Sequence, residues 1–143
     1  GRLGLLAWVN AALRQHRRTE AVAVEACAAL WKMCDSDGNQ AEAGRLGLLA
    51  EIQAALRRHC RSAEVAEAAC GALRNMCFGD EGNMAEAGRL GLLAEVQAAL
   101  RRHCRSVAVA EQVCALLWGL CQDVDNQAEA GRVGGAGCSA AAP

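Results

Sequence analysis

The chain has no tyrosine, one phenylalanine and one proline, Pro143, and aromatic residues make up 3% of its 143 positions. So few rings leave no interleaved aromatic platform on which nucleic-acid bases would stack. With proline confined to the last position, nothing breaks helix formation, and the abundant alanine and leucine favour it. Serine occurs four times, at Ser36, Ser62, Ser106 and Ser139, all in turn-like stretches or the tail. There is no phosphate-binding loop and no cluster of histidine with carboxylates, so nucleophilic and acid–base chemistry both lack their residues. We read the chain as a non-enzyme without cofactor or metal. The formal net charge of −1 argues neither for a polyanionic ligand nor for an acidic tail. The longest apolar stretch, Val107 to Cys121, contains Glu111 and Gln112 and is too short to span a bilayer. No secretory signal is visible.

What the sequence does have is repetition. Gly1-Arg2-Leu3-Gly4-Leu5-Leu6-Ala7 returns at Gly44 to Ala50 and again at Gly88 to Ala94, and a fourth copy starts at Gly131-Arg132-Val133-Gly134. The periods are 43, 44 and 43 residues, and segments 44–62 and 88–106 differ only in Ile52 against Val96. A period in the low forties with helical composition predicts stacked helical repeats, in which each unit buries its apolar face only against its neighbours. The repeats run 1–43, 44–87 and 88–130, the array ends near 133, and 134–143 reads as a flexible tail. The start at Gly1 in mid-repeat leads us to expect a window on a longer array.

One repeat shows the grammar. Leu46, Leu49, Ile52 and Leu56 recur at steps of 3, 3 and 4, one face of an amphipathic helix. Arg57, Arg58 and His59 close it with cations at its negative end. Ser62 is the expected N-cap of the next helix, whose stripe is Val65, Ala69, Leu73 and Met76. Phe78 to Asn83 breaks that helix, and Met84 to Ala87 makes a short one ended by Gly88. The pattern predicts helices over 3–16, 46–59 and 90–103 and over 20–34, 64–77 and 107–121, with bends at Gly44, Gly88 and Gly131.

Most of the nine cysteines fall at equivalent repeat positions: Cys27, Cys70 and Cys114; Cys34, Cys77 and Cys121; Cys60 and Cys104. Cys27 and Cys34 lie two helical turns apart, about 10 Å, too far for a disulfide. We therefore expect Cys27, Cys34, Cys70, Cys77, Cys114 and Cys121 to be buried and unbridged, as small apolar residues of an intracellular protein, cytoplasmic or nuclear. His16, His59 and His103 share one position. Repeat spacing keeps them from sharing a metal ion, and capping or exposure is their expected role.

Asn83-Met84-Ala85-Glu86-Ala87-Gly88-Arg89-Leu90 and Glu67 to Cys77 resemble armadillo repeats: a short first helix, a glycine bend, and a third helix ending near a Leu-x-Asn-Leu-like signature. The resemblance covers residues 1–133. It implies an all-α, right-handed α-solenoid of three armadillo-type repeats that binds a protein partner; HEAT-like repeats are the alternative. Two departures stand out. Gly4, Gly47 and Gly91 occupy sites where many such repeats have proline. The Trp and Asn that nuclear-import members use to hold an extended peptide are replaced by Ala28, Gly71 and Ala115 and by Lys32, Asn75 and Gly119, so only Asn75 matches.

The resemblance implies that the third helices line the concave groove, and their ends vary most between repeats. Our candidate partner-binding residues are Trp31, Lys32, Arg74, Asn75, Phe78 and Trp118, because aromatics and arginine dominate binding hot spots. The partner expected is a helix or an extended peptide. A second candidate is a basic ridge of Arg14, Arg17, Arg18, Arg57, Arg58, Arg61, Arg101, Arg102 and Arg105, suited to a phosphate, RNA or acidic partner. A structural spacer in a larger assembly is the third reading.

Overall fold

Each longer helix that follows a serine starts because that serine supplies an acceptor for its first amide groups. Ser62 Oγ accepts from the Val65 amide at 3.1 Å and Ser106 Oγ from the Val109 amide at 3.2 Å. The computed structural model describes residues 3–123 and 125–132, and every regular element among them is a helix. In chain order these are α1 (Leu3–Gln15), α2 (Glu20–Met33), α3 (Asp37–Arg45), α4 (Leu48–Arg58), α5 (Ala63–Cys77), α6 (Glu81–Leu90), α7 (Leu92–Arg102), α8 (Val107–Leu120) and α9 (125–132). A short helix precedes each of the pairs α4–α5 and α7–α8. The members of equivalent helices pack in series: α2 on α5 on α8, α1 on α4 on α7, α3 on α6. Most of the stripe residues read from the sequence lie in the core, with Leu49, Ile52, Val65, Leu73 and Met76 fully buried, but Leu46 is half-buried and Leu48, at the start of α4, is fully buried instead.

The glycine bends are not where the sequence pattern put them. Gly44 lies inside α3, Gly88 inside α6 and Gly131 inside α9. The chain turns instead at Gly47 and Gly91, which have φ of 80° and 74° and let α4 and α7 start two residues later than expected. The short helices are correspondingly longer than the four residues read from Met84 to Ala87.

Gly44 and Gly88 are needed for closeness rather than for turning. A Cβ on Gly44 would stand 2.2 Å from Asn83 Oδ1, and one on Gly88 2.7 Å from Asn126 Oδ1. Both asparagines are buried. Asn83 Nδ2 donates to the Met76 carbonyl at 2.8 Å and to the Gln40 carbonyl at 2.9 Å. Asn126 Nδ2 likewise donates to Leu120 at 3.1 Å and Met84 at 3.2 Å. One amide group thus satisfies a carbonyl at the end of the helix just completed and ties the next short helix to the one below.

Cys27, Cys34, Cys70 and Cys77 are buried and unbridged, as expected, but Cys114 is exposed and Cys121 half-buried. The reason is stacking order. Cys27 and Cys70 sit on the faces of α2 and α5 that the following repeat covers, and no described helix pair follows α8. Burial pushes the Cys27, Cys70 and Cys77 thiols from 9.0 up to about 12, and Cys34 up to about 11. In Cys70 the neighbouring Cys27 adds to the effect of burial. Replacing Cys70 by serine should cost about 1–3 kcal/mol, because the hydroxyl is stranded in an apolar site. The same change at Cys114 should stay within about 0.5 kcal/mol. Urea unfolding of the two variants checks the contrast, and equal losses would refute it.

Candidate functional site

The ends of α2, α5 and α8 carry the residues that differ most between repeats, and a one-residue insertion shapes them. The loops after α2 and α8 pass from Cys34 and Cys121 through one residue to the capping Ser36 and Asp123, whereas two residues, Phe78 and Gly79, separate Cys77 from the capping Asp80. The extra residue is accommodated by Gly79 at φ 78°. Phe78 stands 57% exposed beside Trp118, 64% exposed, with ring centroids 6.2 Å apart and planes tilted by 33°. An offset pair of this kind leaves two ring faces and edges to solvent.

The remaining groove candidates are partly spent on the stack itself. Trp31 is half-buried with its ring against the Gly71 backbone, where a Cβ would meet Trp31 Cδ2 at 2.4 Å. The space over Gly71 is therefore filled by the chain's own indole. Asn75 Nδ2 donates to the Trp31 carbonyl at 2.6 Å, and Arg74 Nη1 donates to Gln112 Oε1 at 2.9 Å. Lys32 is exposed. Phe78 and Trp118 form the exposed centre, Arg74 lies one turn before Phe78 on α5, and Asn75 faces inward to the preceding repeat.

The arginine edge is also divided. Arg14 Nε and Arg17 Nη2 both reach the buried Glu51 carboxylate, at 3.1 and 3.2 Å, and Arg57 pairs with Glu95. Each pair joins one repeat to the next and, with its arginine exposed, contributes at most about 1 kcal/mol. Arg18, Arg58, Arg61, Arg101, Arg102 and Arg105 are exposed and form no ion pair among the described residues. Between α1 and α4 the edge opens into a cleft of about 530 Å³ lined by Leu13, His16, Arg17, Arg18, Glu51 and Arg58. A smaller one of about 260 Å³ lies at the next junction, with Leu56, His59, Glu95, Arg102 and His103.

The histidines do more than cap. His59 Nε2 bonds the Arg17 carbonyl and His103 Nε2 the Cys60 carbonyl, each at 3.0 Å, so each ties its turn to the turn of the repeat before. Gln53 Nε2 donates to the Leu90 carbonyl at 2.7 Å, and Gln40 Nε2 to the carbonyls of Asn75 and Phe78 at 2.6 and 2.7 Å. Sequence reasoning missed these buried amides. The available signal was Asn39, Asn83 and Asn126, and Asn10, Gln53 and Gln97, recurring at fixed repeat positions.

Among the described residues no three His, Cys, Asp or Glu side chains converge as a metal ion requires, and no helix is long and apolar enough to cross a membrane. The chain matches no protein-family model and none of the curated proteins.

Proposed function

We propose that the chain is a non-catalytic protein-interaction module, built as a right-handed solenoid of armadillo-type repeats. Its partner is a helix or extended segment that docks across the ends of α5 and α8. The observation that supports this reading is the exposed Phe78–Trp118 pair. Two large rings left in water cost solvation that a partner's apolar side chains would recover, and aromatic anchors of this kind dominate binding energies. Arg74 and Lys32 supply a cationic margin. The buried, unpaired thiols support a reducing, intracellular setting.

The open clefts beside Arg18, Arg58 and Arg102 favour one other reading, capture of an acidic or phosphate-bearing partner along the arginine edge. The two separate in one experiment. Peptides are selected on the chain from a displayed library and titrated against two double variants, Phe78→Ala with Trp118→Ala, and Arg58→Ala with Arg102→Ala. The aromatic variant is expected to weaken binding about 10-fold or more, with little dependence on salt. Loss confined to the arginine variant, steepened by salt, would move the function to the edge. Binding insensitive to both would leave a structural spacer.

A further inference from the structure

The two clefts on the arginine edge lie at junctions between described repeats, so their walls come from inside the stack. Where the two linings share a repeat position, the residue types agree with one exception: Arg17 in the first cleft stands where the second has Cys60. The volumes differ, about 530 Å³ against about 260 Å³. Only the first reaches the size of sites that hold small molecules, about 300–1,000 Å³. The charge differs too. Glu51, 8% exposed, answers two guanidinium groups: Arg14 Nε reaches its Oε2 at 3.1 Å, and Arg17 Nη2 reaches both Oε1 and Oε2 at 3.2 Å. At the second junction Glu95 answers Arg57 alone among the described residues. One carboxylate against two arginines leaves positive charge on the wall of the first cleft. Arg18 and Arg58 line it as well, exposed and outside any ion pair among the described residues.

Arg17 is fixed at both ends. His59 Nε2 bonds its carbonyl at 3.0 Å, and Glu51 holds its guanidinium. Among the described residues that guanidinium spends only Nη2 on Glu51, so Nε and Nη1 keep donors for a second anion. The remaining lining is mostly apolar and small, with Leu13, Ala23, Ala54 and Ala55. From this pairing of a cationic wall with an apolar one, we infer that the first cleft binds a small organic anion: a carboxylate or phosphate head carried on a short apolar body. The head bonds Arg17 together with Arg18 or Arg58, and the body covers Leu13 and the alanines. A bare inorganic anion would leave the apolar lining in water, and a neutral amphiphile would leave the guanidinium groups unanswered. Low-dielectric walls around unpaired arginines concentrate anions at the mouth. The inference rests on neither placement of the protein partner.

The test is a titration of the isotope-labelled 143-residue chain with octanoate and with octyl phosphate, each below its micelle-forming concentration, followed by amide NMR. At least one should give saturable shifts at Arg17, Arg18, Ala54 and Arg58, and the tighter of the two names the head group. Octanol and inorganic phosphate should bind at least about 10-fold more weakly. Arg17→Cys gives the first cleft the residue found in the second and should weaken the octyl anion by about 10-fold or more. It should keep native helix content, because the ion pair it removes is an exposed one. Ala54→Leu keeps every charge and fills the apolar lining, and should weaken binding as much. Phe78→Ala with Trp118→Ala should leave the octyl anion's affinity unchanged, so this site and the aromatic pair stand or fall separately. Absence of saturable binding by either anion would overturn the inference. So would octanol binding as tightly as the anions, an affinity unchanged in Arg17→Cys, or shifts centred on Trp8 or on Phe78 and Trp118.

Discussion

Gly44→Ala should destabilise the chain by about 2–4 kcal/mol, and the same substitution should become neutral or stabilising once Asn83 is also alanine. The new Cβ would overlap Asn83 Oδ1 at 2.2 Å. A surface side chain would swing away cheaply. Asn83 is 5% exposed, has a short side chain, and is held through Nδ2 by the Met76 and Gln40 carbonyls, so moving it breaks both bonds. Leaving such buried groups unsatisfied costs about 1–3 kcal/mol each. Asn83→Ala alone should therefore cost about 2–3 kcal/mol, mainly through the Met76 carbonyl near the end of α5. In that background Gly44→Ala meets no clash, partly fills the space vacated, and gains up to about 1 kcal/mol of helix propensity. The double-mutant cycle, measured by urea unfolding, should show a coupling of at least about 2 kcal/mol. An equal cost of Gly44→Ala in both backgrounds would falsify the close-approach account.

Above pH 9 the chain should lose stability steeply. In the unfolded chain the thiols of Cys27, Cys34, Cys70 and Cys77 give up their protons around the ordinary 9.0, while in the folded chain burial raises them to about 11–12. Between those values the folded state binds more protons than the unfolded one, so stability falls as pH rises; below 9 the contribution is fully present. Each thiol removes about 1.4 kcal/mol per pH unit, and the four together about 5 kcal/mol per unit once pH is well past 9. That is comparable with the whole stability of a small domain, about 5–15 kcal/mol. The composition makes the window readable, since there is no tyrosine and Lys32 is the single lysine. The urea midpoint should drop progressively from pH 9 upward, and Cys27→Ala with Cys70→Ala should about halve the slope. A midpoint that is flat between about pH 9 and about pH 10.5 would show that the thiols are not held neutral by burial.

The repeats, the helices and their apolar stripes were legible in the sequence because all three are local. A helix is written in steps of three and four residues, and the caps at Ser62 and Ser106 are set by neighbours three positions on. The register of the stack is not local, and there the reading by sequence failed in instructive ways. Cys70 and Cys114 occupy equivalent positions in the sequence repeat, yet one is sealed by the next repeat and the other faces water. Gly44 reads as a helix stop, but Gly47 makes the turn, and Gly44 is there to admit an amide from 39 residues away. The candidate docking residues were chosen for their chemistry. Only the tertiary structure divided them, assigning Trp31, Arg74 and Asn75 to contacts between repeats and leaving Phe78 and Trp118 outside. It divided the arginines in the same way, because Glu51 and Glu95 come within reach of Arg14, Arg17 and Arg57 only when one repeat lies on another. Local hydrogen bonding and side-chain periodicity determine each unit; which surface a unit keeps depends on what is stacked against it, and no window of a single repeat contains that.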